Sequence, residues 1–151
     1  KTEQNFLVRL AGKGSLREDL ERMALALRVS EQVNFLGRLS REEVLLEMQA
    51  ANCFVLPTRY EAFGVVLIEA MATGLPVIAT RSGGPDSIVT RENGLLIEPE
   101  NVELLAKAME EMMLKIQGYS AREIRAQCLN NYGDSQVLEQ YSQLFLHLLE
   151  E

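Results

Sequence analysis

Short apolar runs alternate with longer segments of helical periodicity along the first two thirds of the chain. Residues 6–11, 33–37, 53–57, 76–80 and 94–97 are brief and almost continuously apolar, the pattern of strands buried on both faces. Between the first two, Leu16, Leu20, Met23 and Leu27 recur at spacings of four, three and four, one face of a helix with Ser15 as its N-cap. Ser40 followed three residues later by Glu43 has the form of a capping box, so a second helix is predicted over 41–51. A third is predicted over 64–73, closed by Gly74 with Pro76 just beyond.

Strict alternation of strand and helix implies right-handed crossovers, and therefore a Rossmann-like α/β domain: a parallel sheet with helices on both faces. After Pro99 the pattern turns purely helical. Val102, Leu105, Met109, Met112 and Ile116 make one stripe, and Val137, Tyr141, Leu144, Phe145 and Leu148 another, so a helical C-terminal tail is expected. No internal repeat or linker divides the chain, and its 151 residues suit one domain with one core.

Composition narrows the functional classes. Fifteen basic residues against 22 acidic give a net charge of −7, which disfavours partnership with a nucleic-acid backbone. Cys53 and Cys128 lack metal-ligand spacing, so neither a disulfide framework nor a zinc site is supported, and a reduced, cytoplasmic protein is the simplest expectation. No apolar run approaches the roughly 20 residues of a transmembrane helix. The chain opens without an initiating Met, as a piece of a longer protein would.

In an open α/β sheet, ligands bind beyond the carboxyl ends of the strands, which places candidate chemistry in the loops near Gly12, Gly37, Thr58, Thr80 and Glu98. Gly12-Lys13-Gly14-Ser15 starts like a dinucleotide fingerprint, but position 17 is Arg rather than a third glycine, and no P-loop motif is present. The turn serves either strand-to-helix geometry or close approach by a phosphate at the helix N-terminus.

The stretch 57–71 is the richest. Glu61 lies in the loop after a strand, and Glu69 follows after seven intervening residues, two turns into the next helix. Eight residues of helix span about 12 Å, too far for an acid and base acting on one bond but suited to two ends of one extended ligand. Val65, Val66, Leu67, Ile68, Ala70 and Met71 predict a buried helix in which a lone carboxylate needs a partner. Its N-terminus near Gly64 would offer amides to a phosphate between the two carboxylates.

These residues carry a resemblance. The run from Phe54 to Glu98, with Glu61-Ala62-Phe63-Gly64 leading to Glu69-Ala70-Met71-Ala72, then Gly74-Leu75-Pro76-Val77, the Gly83-Gly84 loop and Asn93-Gly94-Leu95-Leu96, is similar to the C-terminal, donor-binding domain of group 1, family 4 retaining glycosyltransferases of the GT-B fold. Upstream, Val33 through Arg38 and Gly12-Lys13-Gly14 fall where that family has further loop signatures.

The resemblance implies a nucleoside-diphosphate sugar as donor substrate, no cofactor and no metal. It implies transfer to an acceptor glycan, lipid or small molecule held by an N-terminal domain outside this chain, through which any peripheral membrane contact would also come. By carry-over Glu61 is the catalytic residue, meeting a hydroxyl of the donor sugar, and Glu69 bonds the ribose hydroxyls. Ala62, Phe63, Gly64 and Val65 surround the sugar and diphosphate, with Gly12, Gly14, Gly83 and Gly84 beside them and Gly37 and Arg38 bordering the base.

The chain also departs from the family pattern. The Arg and Lys that clamp the diphosphate in relatives belong to a segment before the first strand seen here, which this chain is expected to lack. Ala62 stands where glycine is frequent, a strained position if its φ were positive. A non-catalytic nucleotide-sugar or interaction module is the alternative reading. A nicotinamide-binding domain is disfavoured by Arg17 and by the Glu61–Glu69 spacing.

Overall fold

The computed structural model describes residues 6–150. Its elements run β1 (Val8–Ala11), α1 (Arg17–Ala26), β2 (Val33–Gly37), α2 (Arg41–Ala50), β3 (Phe54–Leu56), α3 (Val65–Ala72), β4 (Val77–Thr80), α4 (Pro85–Ile88), β5 (Gly94–Ile97), α5 (Val102–Lys115), α6 (Ala121–Tyr132) and α7 (Asp134–Glu150). Strand and helix alternate as the periodicity predicts, followed by a helical tail. No helix among the described residues is long and apolar enough to cross a membrane.

The chain divides into two compact units, one through Glu47 and one from Met48. In the first, β1 and β2 pair in parallel, Val8 opposite Val33, with an irregularity between Leu10 and Ala11. In the second, β3, β4 and β5 form a parallel sheet in that order, Phe54 opposite Val77 and Val77 opposite Gly94. Pairing into two sheets corrects the expectation of one, because an apolar run identifies a strand but carries no record of its neighbour.

The second unit holds nearly all of the core. Every residue of β4 is buried. Ile78 packs with Ala108 and Met112 of α5, flanked by Val55, Leu95, Leu105 and Met109. Val77 and Ala79 alternate with Ile78 and face the other side of the sheet. Leu67, Ala70 and Met71 of α3 and Ile124 and Cys128 of α6 complete the buried set, with the Cys128 thiol donating to the Ile68 carbonyl at 3.3 Å. Buried Asn93 accepts from the Thr90 amide at 2.8 Å and donates to the Ile88 carbonyl at 3.0 Å, which fixes the turn into β5.

In the first unit the burial expected from the sequence is absent. Among the described residues through Glu47, Ala24 alone is buried, and β1 and β2 are only partly covered. The Leu16, Leu20, Met23 and Leu27 stripe is 42–65% exposed. Ser15 is not the N-cap either: Leu16 occupies that position without a side-chain cap, because residues 15 and 16 form a turn ahead of the helix. The capping box is as predicted, with the Ser40 amide donating to Glu43 Oε2 at 2.7 Å and the Glu43 amide to Ser40 Oγ at 3.2 Å.

The tail divides likewise. The α5 stripe packs on the sheet except at Val102, which is 82% exposed. The α7 stripe is helical but uncovered: Val137, Tyr141, Leu144, Phe145 and Leu148 are 36–62% exposed, and no described residue of α7 is buried.

Candidate functional site

Beyond the carboxyl end of β3 the chain does not turn away at once. Glu61 continues a strand-like path, forming a parallel bridge with Gly83 in the loop after β4. Its amide donates to the Ser82 carbonyl at 3.0 Å, and its carbonyl accepts from the Gly84 amide at 2.8 Å. The strand-end loops are cross-tied beneath: Thr80 Oγ1 donates to the Thr58 carbonyl, and the Thr58 and Ser82 hydroxyls lie 3.1 Å apart. The loop at Thr58 was expected to carry chemistry but its hydroxyl was given no role, and Ser82, which has no apolar-pattern signal, was not singled out.

Two glycines are required by this geometry. A Cβ on Gly84 would lie 2.2 Å from the Phe63 carbonyl oxygen, so only glycine permits the two loops to touch. Gly64 has φ of +94° as the N-cap of α3, the left-handed region open to glycine. Ala62 is not among the positive-φ residues, so the strain anticipated there does not arise.

The carboxylate of Glu61 turns back over the start of α3. Its Oε1 accepts from the Gly64 amide at 3.1 Å and from the Phe63 amide at 3.4 Å, an anion held by the positive end of the helix. This corrects the expectation that the Phe63 and Gly64 amides stand open to a phosphate: Gly64 is buried and both amides are taken by Glu61, whose side chain reaches them from two and three residues away. The Val65 and Val66 amides, which have no intrahelical acceptor, remain the open donors of this terminus. Val65 is 58% exposed, and the exposed Phe63 ring meets Tyr132 edge-on at 6.3 Å.

Glu69 corrects a second expectation. Leu67, Ala70 and Met71 take the buried side of α3, while Glu69 lies with Val65 on the solvent side. It makes no ion pair or side-chain hydrogen bond with the described residues. The helix is apolar in composition but buried along one side only, so its carboxylate is reachable without a protein partner.

Asp86 braces the glycine loop, with Oδ2 accepting from the Gly83 amide at 3.1 Å and Oδ1 facing Arg81 at 3.4 Å. The structure therefore gathers Glu61, Ala62, Phe63, Gly64, Val65, Gly83 and Gly84 into one locale, with Glu69 on the helix that leaves it.

The remaining predicted residues belong to the first unit and form their own grouping. The Gly12 amide donates to the Gly37 carbonyl at 2.7 Å, joining the loops after β1 and β2. Gly12 and Gly14 border open space. Arg38 is exposed. Arg17, at the place of the absent third glycine, lies over the Phe35 ring at 5.7 Å and donates to the Phe35 carbonyl at 3.2 Å, a structural role that a glycine could not fill.

Parallel strands under helices, with glycine-bearing loops at their carboxyl ends, define a protein of the Rossmann-like α/β class. Comparison with known proteins is more specific: the family described as Glycosyl transferases group 1 matches residues 1–130, and the chain belongs to that family. It is 37% identical over 111 residues to a GDP-mannose-dependent monoacylated alpha-(1-6)-phosphatidylinositol monomannoside mannosyltransferase of Corynebacterium glutamicum, covering 69% of this chain and 29% of that protein. Sucrose-phosphate synthase from Thermosynechococcus elongatus superposes with a TM-score of 0.80 at 28% identity, over 97% of this chain and 39% of that one. Anabaena HepE, solved in complex with UDP, superposes with a TM-score of 0.78 at 24% identity, over 91% of this chain and 41% of that one. The chain thus spans less than half the length of these relatives, and its fold is the Rossmann-like half of a GT-B enzyme.

Proposed function

We propose that this chain is the donor-binding domain of a retaining glycosyltransferase, holding a nucleoside-diphosphate sugar for transfer to an acceptor glycan, lipid or small molecule presented by another domain. The observation that carries the reading is the arrangement on α3: a carboxylate fixed at its N-terminus, two open amides at Val65 and Val66, and an unpartnered carboxylate on its solvent side. Glu61 has one oxygen tied to amides, which leaves Oε2 to accept a hydroxyl of the donor sugar. Glu69 accepts the ribose hydroxyls. The Val65 and Val66 amides meet the diphosphate, with the Gly83-Gly84 turn beside them leaving room but no free amide, since Asp86 and the Glu61 carbonyl take both, and without a metal or other cofactor in this reading.

The GDP-mannose dependence of the Corynebacterium relative and the UDP bound to HepE support a nucleotide sugar as ligand. A non-catalytic module with the same ligand is the second reading, favoured by the exposed, loosely packed first unit. A thermal-shift panel of UDP, GDP, ADP and their sugar conjugates tests the proposal, since a ligand that binds only the folded state raises the transition. One nucleotide and its conjugate should stand out; a flat response to all of them refutes donor binding.

A further inference from the structure

Next to Glu61, the loops after β3, β4 and β5 border an open depression of about 380 Å³ lined by Arg59, Tyr60, Arg81, Ser82, Pro99 and Glu100. All six residues lie at the carboxyl edge of one sheet. The depression shares its wall with the site already described, because Tyr60 precedes Glu61 and the Ser82 carbonyl takes the Glu61 amide.

Its chemistry is unusual for plain surface. Tyr60 is 91% exposed, with no aromatic or cationic partner for its ring among the described residues. Arg59 pairs with Glu100 at 2.9 Å, and Arg81 with Glu98 at 3.3 Å and Asp86 at 3.4 Å. Three carboxylates therefore surround two guanidiniums. A phosphate would enter a locale already net negative, so the paired arginines do not make an anion site. A neutral ring bearing hydroxyls fits on every count: carboxylates accept from vicinal diols, guanidiniums donate to hydroxyl and ring oxygens, and an exposed aromatic face takes the apolar face of a sugar. These ion pairs are solvent-exposed and weak, so opening them to a ligand costs little. Glu100 also holds a left-handed φ of +58°, rare for a residue with a side chain, while it reaches Arg59.

We propose that this depression is an acceptor-side subsite for a neutral pyranoside, stacked on Tyr60 and hydrogen-bonded by Arg59, Arg81 and Glu100. The acceptor role rests on the donor reading above, because it places this ring next to the sugar that Glu61 would hold.

The test is a titration of the full chain, followed by isotope-labelled amide spectra, with maltotriose, methyl α-D-mannopyranoside, inorganic phosphate, UDP, GDP and ADP as separate probes. A pyranoside should shift amides at 58–60, 81, 82 and 100. Tyr60→Ala should weaken it about tenfold, Tyr60→Phe should leave it unchanged, and Glu69→Ala should leave it unchanged while weakening UDP. Tyr60 is solvent-exposed, so its replacement leaves the fold intact, and Glu100→Gln gives an independent variant that should weaken the pyranoside as well. Pyranoside shifts elsewhere, indifference to Tyr60→Ala, or phosphate acting at these amides at lower concentration would overturn the subsite. Pyranoside binding at Tyr60 with no response to any nucleotide would instead refute the donor reading, and with it the acceptor role, leaving a carbohydrate site.

Discussion

Glu61 and Glu69 differ in what already holds them, and that difference predicts how they divide the ligand. Glu69 has no partner among the described residues, so Glu69→Ala should weaken a bare nucleoside diphosphate by about 1.5 to 3 kcal/mol, the scale of charge-assisted hydrogen bonds. Glu61→Gln keeps an acceptor for the Gly64 amide and should retain the bare nucleotide while losing the added affinity of the sugar conjugate. Calorimetry on both variants with both ligands checks the division; equal losses throughout would refute it. The pairing of these two carboxylates was legible in their spacing and in the glycine between them. Their environments were not. A string of apolar neighbours around Glu69 gives the composition of a helix but not which side the sheet covers, and nothing local in Glu61-Ala62-Phe63-Gly64 says that the carboxylate folds back on its own helix.

At the level of elements, the glycine loop and the α2 cap make separate demands. Gly84→Ala would drive a methyl group into the Phe63 carbonyl, and the loops must part to admit it. A loss of about 1 to 3 kcal/mol is expected, with the Glu61 to Ser82 and Gly84 hydrogen bonds disturbed together; chemical denaturation measures the first and amide exchange at Glu61 the second. The α2 cap carries a pH signature. The Ser40 amide, and after it the Ser40 hydroxyl, hold the Glu43 carboxyl below its ordinary value. A carboxyl whose pKa is depressed by folding adds stability above its unfolded value and loses it as pH falls through the folded one. The melting temperature of the protein should therefore exceed that of Glu43→Gln at neutral pH, with the gap closing in acid below the ordinary carboxylate range. A gap that persists there would mean that the charge is not responsible.

The cap was legible because its partners lie three residues apart, within reach of local chemistry. The α1 stripe had helical spacing too, yet spacing records a face and not what lies against it. Strand ends moved inward by a residue or two for a similar reason: Phe6, Leu7, Cys53 and Pro57 continue the apolar runs but not the ladder.

For the whole molecule, element order was legible and strand pairing was not. Residues 94–97 read as a strand from four positions, but their place beside β4 depends on Val77 and on Gly94 having no side chain to meet it. The family resemblance reached the loops through residue identity. It gave no role to Thr58, Ser82 or Tyr60, which are ordinary residues until the sheet brings their loops together.

The uncovered face of α7 has a consequence for how molecules of this protein meet in solution. Each carries a formal charge of −7, while α7 presents Leu138, Tyr141, Leu144, Phe145, Leu146, Leu148 and Leu149 with no lysine or arginine among them. Like charge repels over the Debye length, about 30 Å at 0.01 M salt but about 8 Å at 0.15 M, whereas apolar contact acts only at touching distance. Salt should therefore tip the balance from repulsion to attraction, so that the second virial coefficient from light scattering is positive at low ionic strength and falls through zero as salt rises. Placing a lysine at Leu144 and at Leu148 should keep it positive across the same range, because the short-range attraction is then weakened while the fold, which buries none of the described residues of α7, is left as it was.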